Sequence, residues 1–92
     1  MEKISVSELE RKIFEREEVR VIIRKSKEDK VSNYPYERKA SVTTSITDLI
    51  DNRIKPLIGN AEVIVVNGEG LQPHGRTKVE TVRNSYASQY IS

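Results

Sequence analysis

The amino-acid sequence predicts a small α+β domain, two helices packed on one face of a mainly antiparallel sheet in the order α-β-β-α-β-β. Three observations predict it. Two segments carry apolar residues at helical spacing, each is followed by β-branched residues in strand-like runs, and Gly, Pro and Asn collect between them. With 92 residues the chain makes one domain, with an ordered core over about 4–83 and a tail over about 84–92.

The first helix is expected from about Ser7 to Glu17. Ser7 offers a cap and Glu10, three residues on, completes a capping-box pattern. Val6, Leu9, Ile13 and Phe14 form its apolar stripe, while Glu8–Lys12 and Arg11–Glu15 place opposite charges four apart on the outer face. Glu18 to Lys25 then alternates Val19, Val21 and Ile23 with Arg20, Ile22 and Arg24, the period of a half-buried strand. Ser26 to Asn33 is charged and reads as a loop, and a weaker strand is expected from about Glu37 to Thr43, with Pro35 kept out of the sheet.

The second helix is the clearest element. Thr44 and Ser45 offer caps, Asp48 follows Ser45 by three, and Ile46, Leu49, Ile50, Ile54, Leu57 and Ile58 make a broad stripe. Pro56 predicts a kink or stop near Lys55, and Gly59-Asn60 suits the exit. Glu62 to Val66 is a strand whose unbroken apolar run predicts a central position in the sheet. Asn67 to Gly75 is a long Gly/Pro-rich turn. Residues 76–83 carry two patterns. Thr77, Val79 and Thr81 alternate as an edge strand, the reading adopted here; Val79, Val82, Tyr86 and Tyr90 fall near helical spacing.

Composition excludes several chemistries. The chain has no cysteine, so disulfides, thiol catalysis and thiolate zinc sites are absent. Its start is charged, without the apolar core of a signal peptide, and no apolar run reaches membrane-spanning length; a soluble protein of the cytoplasm is expected. His74 is the single histidine and reads as an exposed loop residue, so no catalytic residue, metal site or cofactor is assigned. The run from Gly68 to Gly75 fails as a dinucleotide fingerprint because Pro73 stands where the third glycine belongs. Asp48 and Asp51 read as the polar face of the second helix.

Charge is nearly balanced along the chain, with nine bases against eight acids in residues 1–30 and seven against six in 31–92. Two local clusters stand out. Tyr34 and Tyr36 lie between Arg24, Lys25, Lys27 and Lys30 on one side and Arg38 and Lys39 on the other. His74, Arg76, Lys78 and Arg83 form the second. Cations interleaved with aromatics suit phosphates and bases, and equally suit protein hot spots. No RNA-recognition signature, KH loop or zinc knuckle accompanies them.

In its length, lack of cysteine, dense charge and absence of a catalytic motif, the whole chain resembles the small phage-encoded anti-CRISPR proteins. The resemblance implies a non-enzymatic, stoichiometric inhibitor that docks on protein subunits of a CRISPR surveillance ribonucleoprotein in the host cytoplasm and blocks target DNA or touches the guide RNA. The alternative is a small nucleic-acid-binding accessory or regulatory protein; a small enzyme built on His74 is the third reading.

Overall fold

The computed structural model describes residues 3–88. The class is α+β, with helices over small antiparallel sheets. Strand β1 (Lys3–Ser5) leads directly into helix α1 (Val6–Glu17). Ser5, rather than Ser7, caps α1, since the Glu8 amide donates to Ser5 Oγ at 3.1 Å. Val6, Leu9 and Ile13 are buried as the stripe predicts, whereas Phe14 stays 40% exposed. Glu10 serves tertiary structure instead of a capping box: its carboxylate accepts from the Ile23 amide at 2.7 Å and pairs with Lys27 at 2.6 Å. On the outer face Arg11 pairs with Glu15 at 2.6 Å, as expected.

Strand β2 (Arg20–Arg24) keeps its predicted alternation, with Val21 and Ile23 inward and Arg20, Ile22 and Arg24 outward. Its partner is β4 (Glu62–Val66), antiparallel, with Ile22 opposite Ile64 and Arg20 opposite Val66. Among the described residues β4 therefore pairs on one side only, and Ile64 and Val66 lie half-buried on the outward face. The second sheet joins β1 to β3 (Lys30–Ser32), with Ile4 opposite Val31.

The second strand thus falls inside the segment expected to be a loop, and residues 37–43 form no strand. The reason is visible in where their backbone bonds go. The Ala40 amide donates to Glu17 Oε1 at 2.7 Å, the Ala40 carbonyl accepts from Arg83, and the Arg38 carbonyl accepts from Arg53 at 2.7 Å. Side chains satisfy this stretch where a ladder would otherwise be needed.

Ser45 caps the second helical stretch as predicted, accepting from the Asp48 amide at 3.1 Å. The stretch comprises α2 (Ile46–Leu49), a π-helical turn (Ile50–Ile54) and α3 (Lys55–Ile58), leaving at Gly59 with φ +71°. The irregularity expected from Pro56 appears as the π turn just before it. Pro56 cannot donate to the carbonyl four residues back, that of Asn52, and the Tyr36 hydroxyl donates there at 3.3 Å. The stripe remains inward, with Ile46, Leu49, Ile54 and Ile58 buried.

Residues 79–88 are a helix, α4 (Val79–Ser88), and not the edge strand expected over 76–83. Val79 and Val82 are buried and Tyr86 packs against the core, so spacings of three and four bury what an alternating strand would leave half in solvent. Among the described residues, strand-like pairing in 76–83 is limited to an isolated bridge between Lys78 and the distant Ser45. The expected tail is therefore helical over 84–88; its last part, 89–92, including Tyr90, lies outside the described residues.

One carboxylate ties these elements together. Glu17, at the end of α1, is fully buried and accepts from the Tyr34 hydroxyl at 2.5 Å, the Ala40 amide, Arg53 at 2.8 Å and Arg83 at 3.3 Å. Removing it strands one guanidinium that is one-tenth exposed and another that is one-quarter exposed. Glu17→Ala is expected to lose about 3–5 kcal/mol of unfolding free energy in urea, whereas Glu15→Ala, in an exposed pair, changes it by less than about 1 kcal/mol.

Candidate functional site

The tyrosine–cation cluster predicted around residues 24–39 does not assemble as one exposed patch. Tyr34 is buried and spends its hydroxyl on Glu17. Burial first, then hydrogen bonding to Glu17 and its charge, push the Tyr34 phenol far above the ordinary value of 10.0. Tyr36 is half-buried, edge-to-face with Tyr34 at 5.1 Å, and Arg53 lies 4.5 Å above its ring. Lys27 pairs with Glu10, Arg24 approaches Glu62 at 3.8 Å, and Lys39 pairs with Glu18. That hydrogen bond and the Lys39 charge hold the Glu18 carboxyl below its usual value. Lys25, Lys30 and Arg38 are exposed, and their side chains form no ion pair among the described residues.

The second cluster divides in the same way. Arg83 turns inward, with Nε donating to the Glu17 carbonyl at 2.7 Å and Nη2 to the Ala40 carbonyl at 3.1 Å. His74 is exposed, and its Nδ1 accepts from the Arg76 amide at 3.1 Å within its own loop. Arg76 and Lys78 are exposed beside the start of α2. No hydrogen bond or ion pair among the described residues joins the two clusters.

One concave site belongs to neither cluster and has no assignment in the sequence reading. It lies at one end of the outward face of β2 and β4, as a cleft of about 510 Å³ walled by Phe14, Arg20, Val66 and Tyr86 and by the turn of residues 67–70. Phe14 comes from α1, Tyr86 from α4, and the rings meet edge-to-face at 6.1 Å. The Arg20 guanidinium sits 5.6 Å from the Phe14 ring and 6.0 Å from that of Tyr86. The Tyr86 hydroxyl accepts from the Arg20 amide at 2.8 Å and donates to the Val66 carbonyl, standing in for the last rung of the sheet. Burial raises the Tyr86 phenol above its ordinary value, with the Arg20 amide bond opposing.

The turn is ordered by Asn67. Its Oδ1 accepts from the Glu69 amide at 2.9 Å and the Leu71 amide at 3.0 Å, and its carbonyl accepts from the Gly70 amide at 3.0 Å. Gly70 has φ +81°. Gly68 is required by proximity, because a Cβ there would stand 2.1 Å from the Ser85 carbonyl oxygen of α4. Beyond the cleft the outward face continues through Ile22, 39% exposed, to Ile64.

One signal for this site stands in the sequence. The unbroken Val63–Val66 run predicts a central strand, but its Ile64 and Val66 serve an open face and a cleft wall. Among the described residues, no group of His, Cys, Asp or Glu is arranged to hold a metal ion, and no helix is long and apolar enough to cross a membrane. No family model, curated protein or solved structure matches the chain.

The Tyr34–Glu17 bond has a pH signature. Because the folded-state pKa of Tyr34 is raised, the stability linked to its proton is complete below the ordinary tyrosine value of 10.0 and is lost as pH rises above it. Tyr34→Phe is expected to be less stable than the native chain at neutral pH, with the gap narrowing above about pH 10. Denaturant unfolding of both proteins across that range measures it. A constant gap would contradict the assignment.

Proposed function

We propose that the protein acts by binding and not by catalysis, as a stoichiometric phage inhibitor that docks on a CRISPR surveillance ribonucleoprotein in the host cytoplasm and blocks access to target DNA. The observation that supports docking is the open face of β2 and β4. Ile22 is about two-fifths exposed there, Ile64 and Val66 continue the apolar strip, Arg20 and Arg24 flank it, and Phe14 of α1, equally exposed, borders it at the cleft. Aromatic residues and arginine are the side chains that carry protein interfaces, while lysine and glutamate are depleted from their centres. A strip of this kind on a small domain supports the docking reading.

The partner class rests on the likeness to anti-CRISPR proteins in length, cysteine-free composition and dense charge. The exposed cations Lys25, Lys30, Arg38, Arg76 and Lys78 are consistent with it. On a ribonucleoprotein they would be drawn to acidic subunit surfaces and to guide-RNA phosphates, raising the encounter rate more than the final affinity.

The test is capture of a purified surveillance complex by the tagged protein, beside a gel-shift assay with free DNA and RNA. Co-purification is expected, with no shift of free nucleic acid. Phe14→Ser with Ile22→Ser should reduce capture at least about tenfold, as for loss of an interface hot spot. Replacing Lys25, Lys30, Arg76 and Lys78 by Ala should chiefly slow association and flatten its salt dependence. Absence of capture, or a salt-sensitive shift of free nucleic acid, would overturn this reading; the shift would favour an accessory nucleic-acid-binding protein.

A further inference from the structure

The cleft between Phe14, Arg20 and Tyr86 has a chemistry narrower than general docking. Its one cation, Arg20, rests against two aromatic rings and has no carboxylate within ion-pair reach among the described residues. A guanidinium held this way keeps its planar fork of donors available for a single carboxylate. The neighbouring wall is apolar, formed by Phe14 and Val66.

The turn offers no second anchor for negative charge. The Gly68 amide donates to Ser85 Oγ at 2.8 Å, those of Glu69 and Leu71 to Asn67 Oδ1, and that of Gly70 to the Asn67 carbonyl. All are spent inside the fold, so no backbone nest is left for a phosphate. Glu69 on the rim adds a negative charge that disfavours polyanions. The volume of about 510 Å³ exceeds what one carboxylate fills, and the apolar strip of Ile22 and Ile64 continues from it.

We propose that this cleft receives an acidic residue and an adjacent aromatic or large aliphatic residue of a partner protein, the carboxylate on Arg20 and the apolar side chain against Phe14 and Val66. This assignment rests on the docking reading above and narrows it to one recognition element. It excludes nucleotides and nucleic-acid phosphates from the cleft, since these carry repeated charge and the cleft supplies one cation.

Isotope-labelled protein titrated with two capped dipeptides, acetyl-Asp-Phe-amide and acetyl-Asn-Phe-amide, tests it by NMR. The acidic dipeptide is expected to shift the Arg20 side-chain resonance and the amides of residues 67–70 at millimolar concentration. The amide dipeptide should bind at least about tenfold more weakly, as for loss of a charge-assisted hydrogen bond. Arg20→Gln, which leaves the backbone bond to Tyr86 in place, should erase that difference, and Arg76→Gln should not. Equal binding of the two dipeptides, no shift with either, or stronger shifts of the same amides by a single-stranded oligonucleotide would overturn the proposal. The titration needs no surveillance complex, so failed capture with a retained acidic preference would overturn the proposed partner while leaving the cleft assignment standing.

Discussion

The structure depends on the Glu17 carboxylate. A buried charge is tolerated only when its acceptors are filled by well-placed donors, and Glu17 meets that condition with four donors from three parts of the chain. Tyr34 and Ala40 come from the long connection after β3, Arg53 from the π turn and Arg83 from α4. Each group brought to Glu17 is removed from the surface, which is why two members of the apparent binding clusters, Tyr34 and Arg83, belong to the interior. The connection between β3 and α2 also owes its order to this centre, because side chains replace the ladder that its backbone lacks.

The same centre reaches the cleft through two helices. Phe14 stands one turn before Glu17 on α1, and Tyr86 one turn after Arg83 on α4. Clamping Glu17 to Arg83 fixes these helices against each other, and the aromatic pair that walls the cleft follows from that placement. The Tyr86 hydroxyl then joins α4 to the end of β2 and β4, while Gly68 allows the turn to approach the α4 backbone. The cleft is therefore carried by helices and strands rather than by a free loop, and such support holds a recognition geometry more closely. The aromatic faces do not neutralise Arg20; they orient a cation that remains available.

Much of the fold was legible because much of it is local. The stripes of α1 and of the α2–α3 stretch, the Ser45 cap, the alternation of β2 and the Gly59 exit depend on residues a few positions apart. The disturbance before Pro56 was legible for the same reason, since a missing N–H is a property of one residue. The cleft is only half legible: the stripe and the strand run mark Phe14 and Val66 as apolar and place both in the core, because no pattern in the chain says that one end of a sheet stays open.

The sequence by itself determined the class, the two main helical stripes and the strands β2 and β4, since periodicity decides which side of an element is apolar. Only the tertiary structure decided that residues 30–32 pair with β1, that 37–43 do not form a strand, and that 79–88 are helical. The physical reason is shared. Each outcome turns on a partner far along the chain: β1 for Val31, Glu17 for Ala40, and the core together with Arg20 and Val66 for the Val79–Tyr86 stripe. In sequence Glu17 is one acid among the 14 of a charged chain, and only the folded state brings two guanidiniums, a phenol and an amide to it.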